Sequence, residues 1–284
     1  MPPAIKPHIL HEDAYLIALD KPGGLLSHGA EEVPSALRWL RERETAAGRE
    51  ADRVHLVHRL DKDTSGVLVL AYSSEIAGKM GEMFRDRKVL KVYLALTSPV
   101  PALRWQRTEL QMRPKRLGGG EFMQVVPEDG VQADSEIEVL ARGRRFGLVR
   151  VIPEQGRKHQ VRVALAATGS PICGDFLYGG NLVARLAKRV MLHARSLEFA
   201  HPVTGVHTIF KAGVPADFRK MIQEDGGNIP PDLDRRHRTE PKQHDRAKTA
   251  SLPQQTERSR ALAAQVVPPR AAPRVPQRAP RKAK

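Results

Sequence analysis

An α+β fold with a largely antiparallel sheet is predicted by three features of this sequence. Strand-length runs, apolar or alternating, outnumber helix-length amphipathic ones. Two pairs of these runs are separated only by short turn sequences, which is the signature of hairpins. The regular strand–helix–strand alternation of a doubly wound parallel sheet is missing, and no repeat of solenoid length occurs.

The elements follow in chain order. Tyr15 to Asp20 reads as a strand stopped by Lys21-Pro22-Gly23-Gly24, because proline removes a donor and glycine admits positive φ. Residues 34–46 place Ala36, Leu37 and Leu40 beside a charged face, so a helix opened by Pro34-Ser35 is expected. Gly48 to Arg53 reads as a polar loop. Val54 to His58 is a short strand, and the continuous apolar run Gly66 to Ala71 is a buried one. Ser73-Ser74-Glu75 offers an N-cap, after which Ile76, Met80, Met83 and Phe84 share one helical face. Val89 to Thr97 alternates as a strand. Residues 105–113 and 121–126 are strands around a tip at Gly118-Gly119-Gly120, and 133–142 pairs with 146–153 across Gly143-Arg144-Arg145. After Gln155-Gly156 a helix is expected, with Val161, Ala164, Leu165 and Thr168 on one face and His159, Arg162 and Ala166 on the other; Gly169-Ser170-Pro171 ends it. His193 to Phe199 and Val206 to Ala212 form a hairpin around His201-Pro202-Val203-Thr204-Gly205, and Pro215 to Met221 is a last short helix.

Composition divides the chain at residue 225. Residues 225–284 hold 14 Lys/Arg against 6 Asp/Glu, 9 of the 22 prolines and none of the 13 aromatics. Such a segment cannot bury enough apolar surface to offset an ordering cost of about 1–2 kcal/mol per residue. The sequence therefore predicts a folded domain over 1–224 and a disordered basic tail over 225–284. The whole chain carries a formal charge of +15, which points to polyanion partners: nucleic acid first, an anionic membrane surface second. One cysteine, Cys173, excludes an intrachain disulfide and a cysteine-based zinc site. No apolar run approaches the roughly 20 residues that span a bilayer, and the N-terminus lacks the apolar core of a secretion signal. A cytoplasmic protein is expected.

Two polar clusters stand out. The first, His58-Arg59-Leu60-Asp61-Lys62-Asp63-Thr64-Ser65-Gly66, joins two strands, and loops on a rigid scaffold are where reactive groups concentrate. The same residues also make an ordinary solvated turn. The second, Gly156-Arg157-Lys158-His159-Gln160-Val161-Arg162, suits an anion at a helix start, or simply a helix with a basic exposed face. The pairs His55/His58 and His8/His11 have metal-like spacing but lie in strand-like or terminal segments without a third ligand, so no metal site is assigned. Cys173 reads as structural, and the three glycines at 118–120 lack the Gly-Lys-Ser/Thr of a phosphate loop.

Taken together, the two clusters resemble the RluA family of pseudouridine synthases. Asp20-Lys21-Pro22-Gly23-Gly24-Leu25, Lys91-Val92-Tyr93-Leu94-Ala95, Gly169 to Asp175 with Tyr178-Gly179, Leu192-His193-Ala194 and His201 to Gly205 fall in the same order as that family's motifs. The resemblance covers about residues 9–221. It implies the pseudouridine synthase fold and a cofactor-free reaction in which the bond from uracil N1 to ribose C1′ is cut, the base turns, and C5 is joined to C1′. By the same resemblance Asp61 is the catalytic carboxylate, acting either on C1′ or on the 2′ proton. Arg162 pairs with it and favours its charged form. Tyr93 lines the pocket, where its ring can stack on the uracil and its hydroxyl can help remove the C5 proton. The target nucleotide must leave its stack. Arg59 is placed to fill the gap, and Lys62, Arg157 and Lys158 are expected to contact RNA.

Two departures are visible. Ala164 stands where many relatives carry a further histidine, and the pattern opens by about residue 9, so the N-terminal RNA-binding domain that many relatives have is not expected. The basic tail is expected to replace part of that affinity. The resemblance thus predicts an isomerase of structured ribosomal or transfer RNA that needs no cofactor, no metal, no membrane and no obligate protein partner, and acts as a monomer. The alternatives are a non-catalytic RNA-binding or ribosome-assembly protein on the same fold and, on the tail alone, a peripheral membrane protein.

Overall fold

The computed structural model describes residues 6–30, 32–117 and 120–233. Its described part contains strands β1 (His8–Glu12), β2 (Leu16–Lys21), β3 (His55–Leu56), β4 (Ser65–Ala71), β5 (Leu90–Thr97), β6 (Trp105–Thr108), β7 (Gln111–Leu117), β8 (Gly120–Val126), β9 (Val131–Gln132), β10 (Ser135–Arg142), β11 (Gly147–Pro153), β12 (Leu192–Ala200) and β13 (His207–Lys211). The helices are α1 (Ala36–Ala46), α2 (Ser74–Arg85), α3 (Gln160–Ala167), α4 (Phe176–Ala184) and α5 (Ala216–Glu224). Ten strands form one sheet whose main path runs β1-β2-β4-β12-β5-β11-β10-β6, with β13 on β12 and β3 on β4. The order β8-β7-β9 makes a small second sheet. Among the described residues every pairing between these strands is antiparallel except β4 with β12, so the α+β expectation holds.

The core is organised by the two faces of β4, every residue of which is buried. Val67, Val69 and Ala71 pack with Ile76 and Met80 of α2, while Leu68 and Leu70 pack with Ala36 and Leu40 of α1. A strand covered on both sides reads as a continuous apolar run, which is why periodicity alone found it. Ser35 and Ser73 cap α1 and α2, accepting hydrogen bonds from Arg38 N and Ile76 N. A separate cluster joins β5, β10 and β11 to Val161 and Leu165 of α3 and to Phe218 and Ile222 of α5. The opposite side of α3, through Val163 and Ala166, packs on Met112, Phe122 and Met123 of the small sheet. Helix α3 is thus wedged between two sheets, and its side chains from Val163 to Ala167 are all buried.

Several expectations need adjusting. The strand expected over 105–113 is two strands belonging to different sheets, broken at Glu109-Leu110. The strand expected over 54–58 is only His55–Leu56; beyond it the ring nitrogen Nε2 of His58 accepts the Val69 N–H at 3.0 Å, replacing a ladder carbonyl. Helix α4 and the exposed edge strand β1 were not foreseen, and α5 runs three residues past Met221.

The composition break at 225 falls inside packed structure. Asp225 is buried and accepts the backbone N–H groups of Arg145 and Phe146 at 2.6 and 2.8 Å, and Ile229 and Leu233 pack on the core. Most of the segment expected to be a disordered tail, residues 234–284, lies outside the described residues. Among those described, no helix is long and apolar enough to cross a membrane.

Candidate active site

The loop between β3 and β4 is held from four directions. Ser27 Oγ donates to Leu60 O at 2.8 Å and accepts Leu60 N–H at 2.9 Å. The wholly buried Lys21 donates through Nζ to the carbonyls of Leu25 (2.7 Å), Pro22 (3.0 Å) and Lys62 (3.0 Å). Lys62 O also receives Gly24 N–H at 2.9 Å. Arg189 Nη1 donates to Asp63 O at 3.1 Å. The loop runs into β4, whose second residue is Gly66 (φ 108°); a β-carbon there would sit 2.1 Å from Ala194 O, so only glycine lets β4 meet β12 here. The Lys-Pro-Gly-Gly turn noticed in the sequence therefore serves the loop that carries Asp61.

Asp61 emerges from this clamp with its side chain 33% exposed. Its Oδ2 accepts Arg162 Nη1 at 3.2 Å and lies 3.7 Å from His159 Nε2. Arg162 is 11% exposed and divides its donors. Nε and Nη2 bind Asp175 Oδ2 and Oδ1 at 2.7 and 2.9 Å, leaving Nη1 for Asp61. Asp175 is fully buried and caps α4, its Oδ1 accepting Leu177 N–H and Tyr178 N–H at 3.1 and 3.2 Å. Burial works against the charge of Arg162, yet its bonds to Asp175 and the charges of Asp175 and Asp61 hold its pKa above the usual arginine value. The Arg162 guanidinium also lies 5.0 Å from the centre of the Tyr178 ring.

Two carboxylates share one guanidinium, so one negative charge is left over. Asp175 is bound bidentately and buried; Asp61 is touched from one side and open to water. The less firmly held and more exposed of the two carboxylates is therefore Asp61, where a reaction can use it. His159 does not cancel the left-over charge. Burial first, and the neighbouring Arg162 second, push the imidazole pKa down to about 4, so it is neutral at pH 7.

Tyr93 stands on β5 with Val151 and Ala194 as its ladder partners, half-buried between two core clusters. Burial, and then the charge of Asp61, push its phenol up to about 12. Arg59 and Lys62 flank Asp61 on the loop and are exposed. Arg157 and Lys158 are exposed at the start of α3, but each already has a partner: Arg157 Nε donates to Gln132 O at 3.4 Å, and Lys158 Nζ pairs with Glu121 at 2.8 Å.

The structure thus brings Asp61 and Arg162 into contact, 101 residues apart in sequence, and puts Tyr93 within the field of Asp61. Sequence reasoning quoted Asp175, Tyr178 and His159 but gave none of them a task. The available signal was Asp175 itself, an N-cap residue directly before Phe176-Leu177-Tyr178.

An open carboxylate hydrogen-bonded to a shared arginine, beside exposed basic side chains, suits an enzyme that works on a polyanion. Comparison with known proteins makes that class specific. Residues 15–167, a span that includes Asp61, Tyr93 and Arg162, match the family described as RNA pseudouridylate synthase. The chain is 35% identical over 247 residues to ribosomal large subunit pseudouridine synthase D of Xanthomonas campestris pv. campestris, covering 78% of this chain and 70% of that one. It is 32% identical over 227 residues to ribosomal large subunit pseudouridine synthase C of Escherichia coli K12, covering 76% and 69%. Among solved structures, human RNA pseudouridylate synthase domain containing 4 superposes with a TM-score of 0.64 at 26% identity, covering 78% of this chain and 94% of that one. The chain belongs to the RNA pseudouridylate synthase family and is an isomerase of that kind.

Proposed function

We propose that this chain converts uridines of large-subunit ribosomal RNA to pseudouridine in the cytoplasm, with Asp61 as the catalytic carboxylate. The observation that carries this reading is the unequal division of Arg162 between Asp175 and Asp61, which leaves Asp61 oriented by one hydrogen bond and open. The names of the relatives support ribosomal RNA as the substrate. Both contacts to Asp61 fall on Oδ2, so Oδ1 is the oxygen we assign to the ribose. Attack on C1′ and removal of the 2′ proton both start from an ionised carboxylate, and both benefit from its fixed position.

The reaction is an isomerisation: the N1–C1′ bond breaks, the C5–C1′ bond forms, C5 loses a proton and N1 gains one. Tyr93, neutral at pH 7, offers the detached uracil an aromatic face and a hydroxyl that can relay the C5 proton. Extruding the uridine costs a few kcal/mol. Arg59, exposed two residues before Asp61, enters the vacated stack, while Lys62, Arg157 and Lys158 meet phosphates. Lys158 would have to exchange Glu121 for the phosphate. Residues 234–284 carry 14 Lys/Arg against 4 Asp/Glu and add a salt-dependent, sequence-independent affinity to the domain.

Pseudouridine mapping of ribosomal RNA from cells with and without the gene tests the substrate. Loss of one or more large-subunit sites is expected, and an unchanged map rejects ribosomal RNA. Arg59→Ala should weaken RNA binding or slow single turnover. If it does neither, Arg59 has no part in base extrusion. Deleting residues 234–284, which spares the packed residues 225–233, should lower RNA affinity and flatten its salt dependence; equal salt slopes reject a role for that segment.

A further inference from the structure

We infer that His159 is a positioning residue for Asp61: a neutral imidazole with its proton on Nε2, aimed at the same carboxylate oxygen that Arg162 holds. This rests on the reading of Asp61 as the catalytic carboxylate.

The proton's place follows from counting donors. Tyr178 is buried, and its hydroxyl oxygen accepts Met123 N–H at 2.9 Å and lies 2.8 Å from His159 Nδ1. The Met123 amide can only donate. The hydroxyl proton then needs an acceptor, and His159 Nδ1 is the partner within reach. A proton on Nδ1 would leave the buried Tyr178 O–H with nowhere to point. All three groups are satisfied only when Nδ1 is bare and Nε2 carries the hydrogen. Nε2 lies 3.7 Å from Asp61 Oδ2. The two rings meet edge to face, with centroids 5.7 Å apart at 79°.

Backbone geometry supports a dedicated placement. His159 has φ 57°, one of three non-glycine residues with positive φ among those described, and it stands at the N-cap of α3 without capping it. Residues in this region are mildly strained, and such strain collects at functional sites. The charged and titratable groups facing the ring are Arg162 and Lys158 on its own segment, Asp61 on the β3–β4 loop, and Asp175 and Tyr178 at the start of α4. Burial and Arg162 outweigh the carboxylates, which keeps the ring neutral.

A neutral donor has a chemical advantage here. Arg162 Nη1 is hydrogen-bonded to Oδ2 at 3.2 Å, and the imidazole N–H approaches the same oxygen to 3.7 Å, an electrostatic contact that restrains the carboxylate's rotation and leaves Oδ1 to the substrate. A second full cation would do the same while draining the charge the reaction needs.

The test uses the full chain and an in vitro transcript of large-subunit ribosomal RNA. His159→Phe removes the N–H but keeps a ring; His159→Gln restores a distal N–H. Single-turnover pseudouridine formation should fall about tenfold to a hundredfold in His159→Phe, with Kd for the transcript unchanged within twofold. His159→Gln should recover most of that loss. Equal rates in the two variants, or a wild-type rate in His159→Phe, overturn the inference. Nitrogen-15 NMR of the wild-type imidazole gives a reading independent of RNA. A bare Nδ1 and a protonated Nε2 at pH 6 are expected, and the opposite tautomer or an imidazolium refutes it. If Asp61→Asn proves fully active, the proposed role of Asp61 fails even where the NMR result stands. If Asp61→Asn is inactive and His159→Phe is not, only the inference about His159 fails.

Discussion

Arg162 holds two aspartates on opposite terms. At one end Asp175 is fully buried, bound to Arg162 through both oxygens, and caps α4 by accepting two helix N–H groups. At the other, Asp61 is 33% exposed and touched through one oxygen. The buried pair has no freedom and serves as the foundation. The open pair keeps a carboxylate available to substrate. Anchoring and reactivity are divided between two residues of the same type, and environment alone assigns the roles.

The largest effect should come from breaking the foundation. Asp175→Ala strips a buried guanidinium of its main partner and removes the cap of α4, so urea unfolding should show a loss of about 3–5 kcal/mol. A loss no larger than that of an exposed ion pair would mean that the two ends of Arg162 do not differ in kind. Next comes Arg162→Lys. A lysine keeps the charge but cannot reach both carboxylates with three nitrogens. Single-turnover rate should fall by about a hundredfold, far more than RNA affinity falls; equal losses in rate and affinity would assign Arg162 to binding instead.

The same contrast extends to the loop. Ser27→Ala leaves the buried Leu60 N–H and carbonyl without their shared partner, and a stability loss of about 1–3 kcal/mol is expected, together with slower turnover. Acid should expose another buried group. His193 is 1% exposed, and burial, followed by Arg195 and Arg189, holds its pKa down to about 3. The folded state thus binds this proton less readily than the unfolded chain, whose histidine titrates near 6.5. The stability present above pH 6.5 is lost as pH falls toward 3, by about 1.4 kcal/mol per unit for this one group. A His193→Gln variant should show a shallower acid slope in thermal melts. The smallest effect belongs to the surface: Glu75→Ala breaks an exposed 2.7 Å pair with Lys79 on α2 and should leave the thermal midpoint in place.

How much of this was legible in the sequence depends on the kind of signal each element carries. Strand β4 was readable because both its faces are buried, and α2 because Ile76, Met80, Met83 and Phe84 recur at helical spacing. Helix α4 was not, since it is short and interrupted at Gly180 (φ 69°, ψ −175°), which breaks the period. Strand β1 is a partly exposed edge with a bulge between Ile9 and His11, so it shows no clean alternation. The end of the fold was placed at 224 by composition, but the buried Asp225 belongs to the β10–β11 turn it holds. Within the site, Asp61, Tyr93 and Arg162 came from motif resemblance. The division of Arg162 between two carboxylates could not have come from it, because hydrogen bonding across 13 and 101 residues leaves no local pattern.

The central claim is that Asp61 supplies the chemistry and the buried Arg162–Asp175 pair only holds it in place. Asp61→Asn is nearly isosteric and leaves that pair intact. Single-turnover assay on large-subunit ribosomal RNA, beside a thermal melt and a binding curve for the same preparation, tests it directly. No pseudouridine should form, while melting temperature and RNA affinity stay close to wild type. Pseudouridine formed at a rate near wild type by a folded, RNA-binding Asp61→Asn protein would contradict the account.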